Sequence, residues 1–188
     1  MPEKPVVLTF DDGYLTNLEY ILPILEKHNA KAVFSIVGEY TDRFTNVRDR
    51  VLSYAHLCWE DVKALVDSPF AEIQNHSYNM HSLKGRRGVA KKKGESLEEY
   101  RKVLDNDILY MQKLIQEKTG YTPTTFTYPF GELSSAAEKI LKEMGFKATL
   151  TCTEGMNVLT GKPEDLYYMR RYNRPCNVDR DKFFGRFE

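Results

Sequence analysis

Two rhythms of apolar and polar residues alternate along this chain. "PVVLTF" (Pro5 to Phe10) is a nearly unbroken apolar run, the pattern of a parallel strand covered on both faces. Leu18, Ile21, Leu22 and Leu25 then recur at helical spacing, with Pro23 placed to kink that helix. "KAVFSIV" (Lys31 to Val37) predicts a second strand, "WEDVKALV" (Trp59 to Val66) a short helix, and "FAEIQN" (Phe70 to Asn75) a third strand. The clearest helix runs from Leu97 to Lys118, with a Ser96–Glu99 capping box in front and a Gly120 stop behind. "TTFTYP" predicts a fourth strand, "SAAEKILKEMG" a helix ending at Gly145, and "KATLT" a fifth strand. A sixth strand around "LYYMRRY" and a short helix in "DRDKFFGRF" complete the pattern. Such alternation implies parallel pairing through right-handed crossovers: an α/β barrel or an open sheet.

At 188 residues the chain is one domain by length. Its 27 basic and 27 acidic residues cancel, which removes any overall electrostatic pull toward nucleic acid or an anionic membrane. No apolar run approaches the roughly 20 residues of a membrane span. "MPEKPVVLTF" lacks an apolar segment before a cleavage site, so no signal peptide is expected in this chain. The first strand begins only a few residues in, which is compatible with a further strand preceding it in a longer protein. Cys58, Cys152 and Cys176 are widely spaced and odd in number; they read as small core residues rather than a disulfide frame or zinc site. "SLKGRRGVAKKKGE" (Ser82 to Glu95) breaks the periodicity. It reads first as a solvated mobile loop, and second as a cationic flap beside an active site. It has no aromatic residue on which bases could stack, which argues against a nucleic-acid patch.

The chemistry-bearing residues cluster at strand ends. Asp11 and Asp12 follow the first strand, and His76 and His81 in "QNHSYNMH" follow the third. In parallel α/β folds functional groups gather at the carboxyl ends of strands, so both clusters belong to one face. Two imidazoles and a carboxylate suit Zn²⁺ or a similar divalent ion and leave positions open for water and substrate. Such an ion can lower the pKa of its water to about 7. Adjacent residues leaving a strand diverge, so one aspartate can bind the ion while its neighbour takes a proton. "FTYPFGELS" (Phe126 to Ser134) follows the fourth strand, and backbone N–H groups in its turn could stabilise an oxyanion.

"TFDDG", "NHSYNMH" and "FTYPFG", in that order, resemble the polysaccharide deacetylase family, carbohydrate esterase family four, from Val6 to about Arg174. The first motif is highly specific, and the second is specific in its company. "YPFG" looks closest to the poly-N-acetylglucosamine and cell-wall branch. The resemblance implies a distorted, incomplete (β/α) barrel and a divalent metal, Zn²⁺ foremost. It implies removal of N-acetyl groups from an N-acetylglucosamine-containing polysaccharide such as chitin, peptidoglycan or poly-N-acetylglucosamine, and work outside the membrane. Asp11 is the implied catalytic base; Asp12, His76 and His81 the implied metal ligands. Phe130 supplies the oxyanion N–H, with Tyr14, Tyr128 and Pro129 placed for substrate. The alternatives are a carbohydrate O-acetyl esterase and a catalytically weakened glycan-binding module.

Three departures sharpen these expectations. The histidines stand five apart rather than four, about 140° of divergence on a regular helix, so a bulged turn around Tyr78 to Met80 must bring His81 back. Were His81 to point outward, Asn75 or Asn79 would be a poor substitute. Thr127 stands where the family often has an arginine paired with the base; Arg170, Arg171 or Arg174 could take its place. No histidine follows His81 to act as general acid; His28 reads as a helix cap and His56 as structural. A group outside this chain, or solvent, would then protonate the leaving amine.

Overall fold

Five strands pair in chain order in the computed structural model, which describes residues 5–187. Residues 1–4, the start of the segment read for a signal peptide, and residue 188 lie outside those described. The strands are β1 (Leu8–Phe10), β2 (Ala32–Ile36), β3 (Ala71–Asn75), β4 (Thr125–Thr127) and β5 (Ala148–Leu150), and every pairing is parallel. A doubly wound sheet would reverse direction partway, and this one never does. Right-handed crossovers that always step the same way put all helices on one face and curl the other inward. Among the described residues nothing pairs β1 with β5, so the result is the expected incomplete (β/α) barrel.

The curl is visible in one contact. The hydroxyls of Ser35 on β2 and Thr127 on β4 are hydrogen-bonded at 2.7 Å and fully buried, although β3 lies between their strands. In a flat sheet strands two apart are separated by about 9.6 Å. On the convex face Phe34, Ile36 and Ile73 pack against Leu25, Val62, Leu65, Met111 and Ile115. A second cluster joins Phe126 and Tyr128 to Tyr100, Leu104, Ile108, Ile140 and Leu141.

The helices are α1 (Leu22–Lys27), α2 (Gly38–Val47), α3 (Trp59–Asp67), α4 (Leu97–Leu104), α5 (Tyr110–Thr119), α6 (Ser135–Glu143) and α7 (Arg180–Phe184). The long predicted helix is α4 and α5 joined through a π-helical turn, Asp105–Leu109. Its caps are as expected: Ser96 Oγ accepts the Glu99 N–H at 3.1 Å, Glu99 accepts the Ser96 N–H at 2.9 Å, and Gly120 is left-handed. A second π-helical turn, Asn17–Ile21, precedes α1, whose first turn holds Pro23. No described helix is long and apolar enough to cross a membrane.

Several expectations are corrected. Helix α2 has no strong sequence signal, because only Gly38, Thr41 and Phe44 are buried and its Gly, Thr and Asn content is poor in helix formers. The first strand is not covered on both faces: it lies at an edge of the open sheet, with Val6 82% and Val7 64% exposed. The sixth strand shrinks to one bridge, Leu150 to Met169, because Tyr168 takes a left-handed conformation that breaks extension. Cys152 and Cys176 are exposed rather than core residues. The basic segment is anchored: Arg86 pairs with Glu95 at 2.5 Å, Val89 is fully buried, and Tyr100 hydrogen-bonds the Val89 carbonyl.

The Ser35–Thr127 contact generates a test of the curl. Thr127→Val should strand the buried Ser35 hydroxyl and cost about 1–3 kcal/mol in urea unfolding. The double variant with Ser35→Ala should recover most of that loss. Equal loss in both proteins would mean that the two hydroxyls are not coupled.

Candidate metal centre and active site

Three turns leave the carboxyl ends of β1, β3 and β4, and each holds a non-glycine residue at positive φ: Asp12 (71°), Ser77 (73°) and Phe130 (58°). Such conformations cost on the order of 1–3 kcal/mol each and persist where the surroundings impose them. Here they aim side chains from three turns at one point.

The first turn separates its two carboxylates. Gly13 has φ 70°, and a Cβ there would lie 3.0 Å from the Ile36 side chain, so the turn sits directly on β2. Asp11 turns to Arg171, whose Nη1 and Nη2 donate to its two oxygens at 2.8 and 2.7 Å. This bidentate pair is only 16% and 25% exposed at its side chains. Arg171 Nε also donates to the Thr151 carbonyl at 2.7 Å, and Nη1 to Thr9 Oγ1 at 3.0 Å. One guanidinium thus ties the segment after β5 to β1, across the gap where the strands do not pair. Of the three candidate arginines, Arg171 meets Asp11; Arg174 covers the Phe183 ring, and the Arg170 backbone is held by Asn157.

Asp12 turns the other way. Its Oδ1 is 3.5 Å from His76 Nε2 and 3.2 Å from His81 Nε2, and one ligand atom from each residue lies within 4.8 Å of the others. His76 Nδ1 is 2.7 Å from the Thr127 carbonyl. A carbonyl only accepts, so the proton resides on Nδ1 and the Nε2 lone pair faces Asp12. Asp12 Oδ1 is buried and has no hydrogen-bond donor. Burial pushes the Asp12 carboxyl upward, but the nearby His76, His81 and His56 imidazoles outweigh it and hold the group below its ordinary pKa. Burial lowers the His81 pKa against the pull of Asp12, favouring the neutral imidazole. An ionised carboxylate and an Nε2 lone pair beside a second neutral imidazole, with an orphaned oxygen among them, form a donor set that fits a divalent cation.

The histidine segment leaves β3 as an irregular loop with a bend at Tyr78–Asn79, not as a helix, and the five-residue separation places both imidazoles on Asp12. Asn75 is committed elsewhere: its amide donates to the Ile108 carbonyl and Gln112, and its Oδ1 accepts the Ser77 N–H. In the third turn, a 3₁₀ turn at Pro129–Gly131, the Phe130 ring lies 4.4 Å from that of His81. Tyr128 and Pro129, expected to meet substrate, are buried, and the Tyr128 hydroxyl points to Glu138. Their side chains support this wall from behind rather than lining it.

Tyr14 is 41% exposed and stacks on His56 at 4.5 Å. His56 is also packed by Tyr40 and Phe44, neither ring nitrogen has a hydrogen-bond partner, and burial lowers its pKa. It is structural in its packing, as expected, but it packs against the site's rim; no local pattern around "SYAHLCW" signals that. His28 caps α1 as expected.

The polysaccharide deacetylase sequence model matches residues 1–149. The poly-β-1,6-N-acetyl-D-glucosamine N-deacetylase of Escherichia coli K12 is 26% identical over 175 residues, 83% of this chain and 26% of that protein. The peptidoglycan-N-acetylglucosamine deacetylase of Bacillus cereus is 31% identical over 144 residues, 75% of this chain and 42% of that protein. The chain therefore spans less than half the length of either relative. A solved de-N-acetylase structure from Aggregatibacter actinomycetemcomitans aligns with a TM-score of 0.79 at 25% identity, over 98% of this chain and 76% of that one. With the half-barrel, the three strand-end turns and a match over most of its length, the chain belongs to the polysaccharide deacetylase family.

Proposed function

We propose that this chain is the catalytic unit of a divalent-metal-dependent hydrolase that removes N-acetyl groups from an N-acetylglucosamine-containing polysaccharide. The observation that carries the reading is the division of the aspartate pair: Asp12 faces two imidazoles with an orphaned oxygen, while Asp11 is gripped by Arg171. The E. coli and B. cereus relatives, both named as N-deacetylases of N-acetylglucosamine polymers, support the substrate class.

Asp12, His76 and His81 would hold the ion, with Zn²⁺ favoured by the nitrogen-rich donor set. When bound, it would supply a Lewis acid that acidifies water and offsets negative charge developing on the acetyl carbonyl oxygen. Asp11 is the base. Arg171 fixes the plane of its carboxylate through one lone pair on each oxygen, leaving others to accept a proton from the attacking water. Water oxygen bonds to the acetyl carbon, the carbon–nitrogen bond breaks, and acetate and a free amine result. The proton taken by Asp11 can leave with the amine, directly or through solvent. The Phe130 backbone N–H, in the left-handed turn beside His81, would donate to the oxyanion. The Tyr14 ring offers an apolar face to a pyranose.

A chelator should abolish acetate release from N-acetylated chito-oligosaccharides, and added Zn²⁺ should restore it; chelator-resistant turnover would contradict the metal reading. Acetylated xylan should be the poorer substrate, and the reverse preference would mark an O-acetyl esterase instead. Asp11→Asn should lower kcat by about 10²–10⁴-fold while zinc affinity is retained; turnover at the parental rate would defeat the base assignment. Arg171→Met should lower kcat about 100-fold with little change in KM, because the base loses its alignment rather than the substrate its contacts. An unchanged kcat would remove Arg171 from the machinery.

A further inference from the structure

In the loop from His76 to His81, five of the six backbone N–H groups are hydrogen-bonded. The His76 N–H donates to the Ile36 carbonyl at 3.1 Å, and the Ser77 N–H to Asn75 Oδ1 at 2.8 Å. Gly38 and Glu39, at the start of α2, donate to the Ser77 and Tyr78 carbonyls at 3.1 and 2.9 Å. That approach requires Gly38, because a Cβ there would lie 2.4 Å from the Tyr78 ring. The Met80 N–H returns to Ser77 Oγ at 3.1 Å. The N–H groups of Tyr78 and Asn79 donate to the two carboxylate oxygens of Asp107, each at 2.8 Å.

Asp107 lies within the π-helical turn that separates α4 from α5. A π-turn inserts one residue into a helix and re-aims the side chains around it, and such insertions concentrate at functional sites. Here the turn reaches the loop through the Asp107 carboxylate and the end of β3 through the Ile108 carbonyl, which accepts from the Asn75 amide at 3.1 Å. Asp107 makes no hydrogen bond to Asp12, His76 or His81 themselves, so its influence on them passes through the loop backbone.

We propose that the π-turn Asp105–Leu109 is a clamp on the histidine loop, and that Asp107 is a positioning residue that holds Tyr78 and Asn79 so that His81 faces Asp12. The role rests on the reading of Asp12, His76 and His81 as metal ligands. A four-residue separation could place two histidines on one helical face unaided. A five-residue separation cannot, and the carboxylate from a second element supplies the missing constraint. Only a carboxylate offers an acceptor to both N–H groups. An asparagine of the same shape would turn its own NH₂ toward one of them.

Zinc titration of the metal-free full chain, in the parent and in Asp107→Asn and Asp107→Glu, tests this. Asp107→Asn should weaken zinc binding by about 10- to 100-fold, the range found when groups that orient metal ligands are removed. It should also alter the visible spectrum of the cobalt-loaded protein, while the metal-free form still unfolds cooperatively. Asp107→Glu, which keeps the carboxylate on a longer arm, should fall between the two. Parental zinc affinity in Asp107→Asn would overturn the clamp. A parent that binds no zinc would overturn the metal reading itself, a distinguishable result. Amide hydrogen exchange on the parent needs no variant to fold: Tyr78 and Asn79 should be protected together relative to Lys93 in the basic segment. Exchange of both at the Lys93 rate would equally overturn the clamp.

Discussion

Two carboxylates on consecutive residues at a strand end repel, by about 3 kcal/mol for charges ~5 Å apart at an effective dielectric near 20. The fold resolves that repulsion by giving each aspartate its own counter-group from a distant part of the chain. Asp11 receives Arg171, and Asp12 receives the imidazoles of His76 and His81. The half-barrel is what makes this division possible, because its parallel strands deliver all the groups to one rim. The Arg171–Asp11 pair has a second consequence. It crosses the opening between β5 and β1, so the alignment of the Asp11 carboxylate and the closure of the fold depend on the same guanidinium.

The site is held by strain and by hydrogen bonds drawn from outside it. Asp12, Ser77 and Phe130 adopt left-handed backbone in three separate turns, conformations that isolated peptides would rarely keep. Each is imposed by its neighbours: Gly13 against Ile36, the Ser77 loop between α2 and the π-turn, and Phe130 in the bend after Pro129. His76 is fixed by a strand carbonyl, that of Thr127, rather than by another side chain. The Nε2 atom that His76 turns toward Asp12 is therefore oriented by backbone, which moves less than side chains do.

The five paired strands and the long capped helix were legible because each carries its own local signal: an apolar run, a capping box or a terminal glycine. Helix α2 was not, since its place depends on packing beneath Tyr78 and Trp59 rather than on its own composition. The covered first strand and the sixth strand were misjudged for a related reason. Val6 and Val7 look like core residues in one dimension but lie at an open edge, and a single left-handed residue, Tyr168, ends the last strand. At the site, the aspartates and histidines announced themselves by motif and by strand-end position. Which of Arg170, Arg171 and Arg174 meets Asp11 is a question of phase along an irregular segment, which sequence does not encode locally. Tyr128 and Pro129 belonged to the motif but face the core. Asp107 had no motif at all, because the π-turn that aims it has no distinctive composition.

The central claim is that Asp12, His76 and His81 grip one divalent ion while Asp11 stays with Arg171. Anomalous X-ray diffraction from zinc-soaked crystals tests it most directly. The account predicts an ion about 2.0–2.2 Å from an Asp12 oxygen and from Nε2 of both histidines, with the Asp11–Arg171 pair intact. An ion coordinated by Asp11, or a zinc-soaked site with no anomalous peak among these three residues, would contradict it.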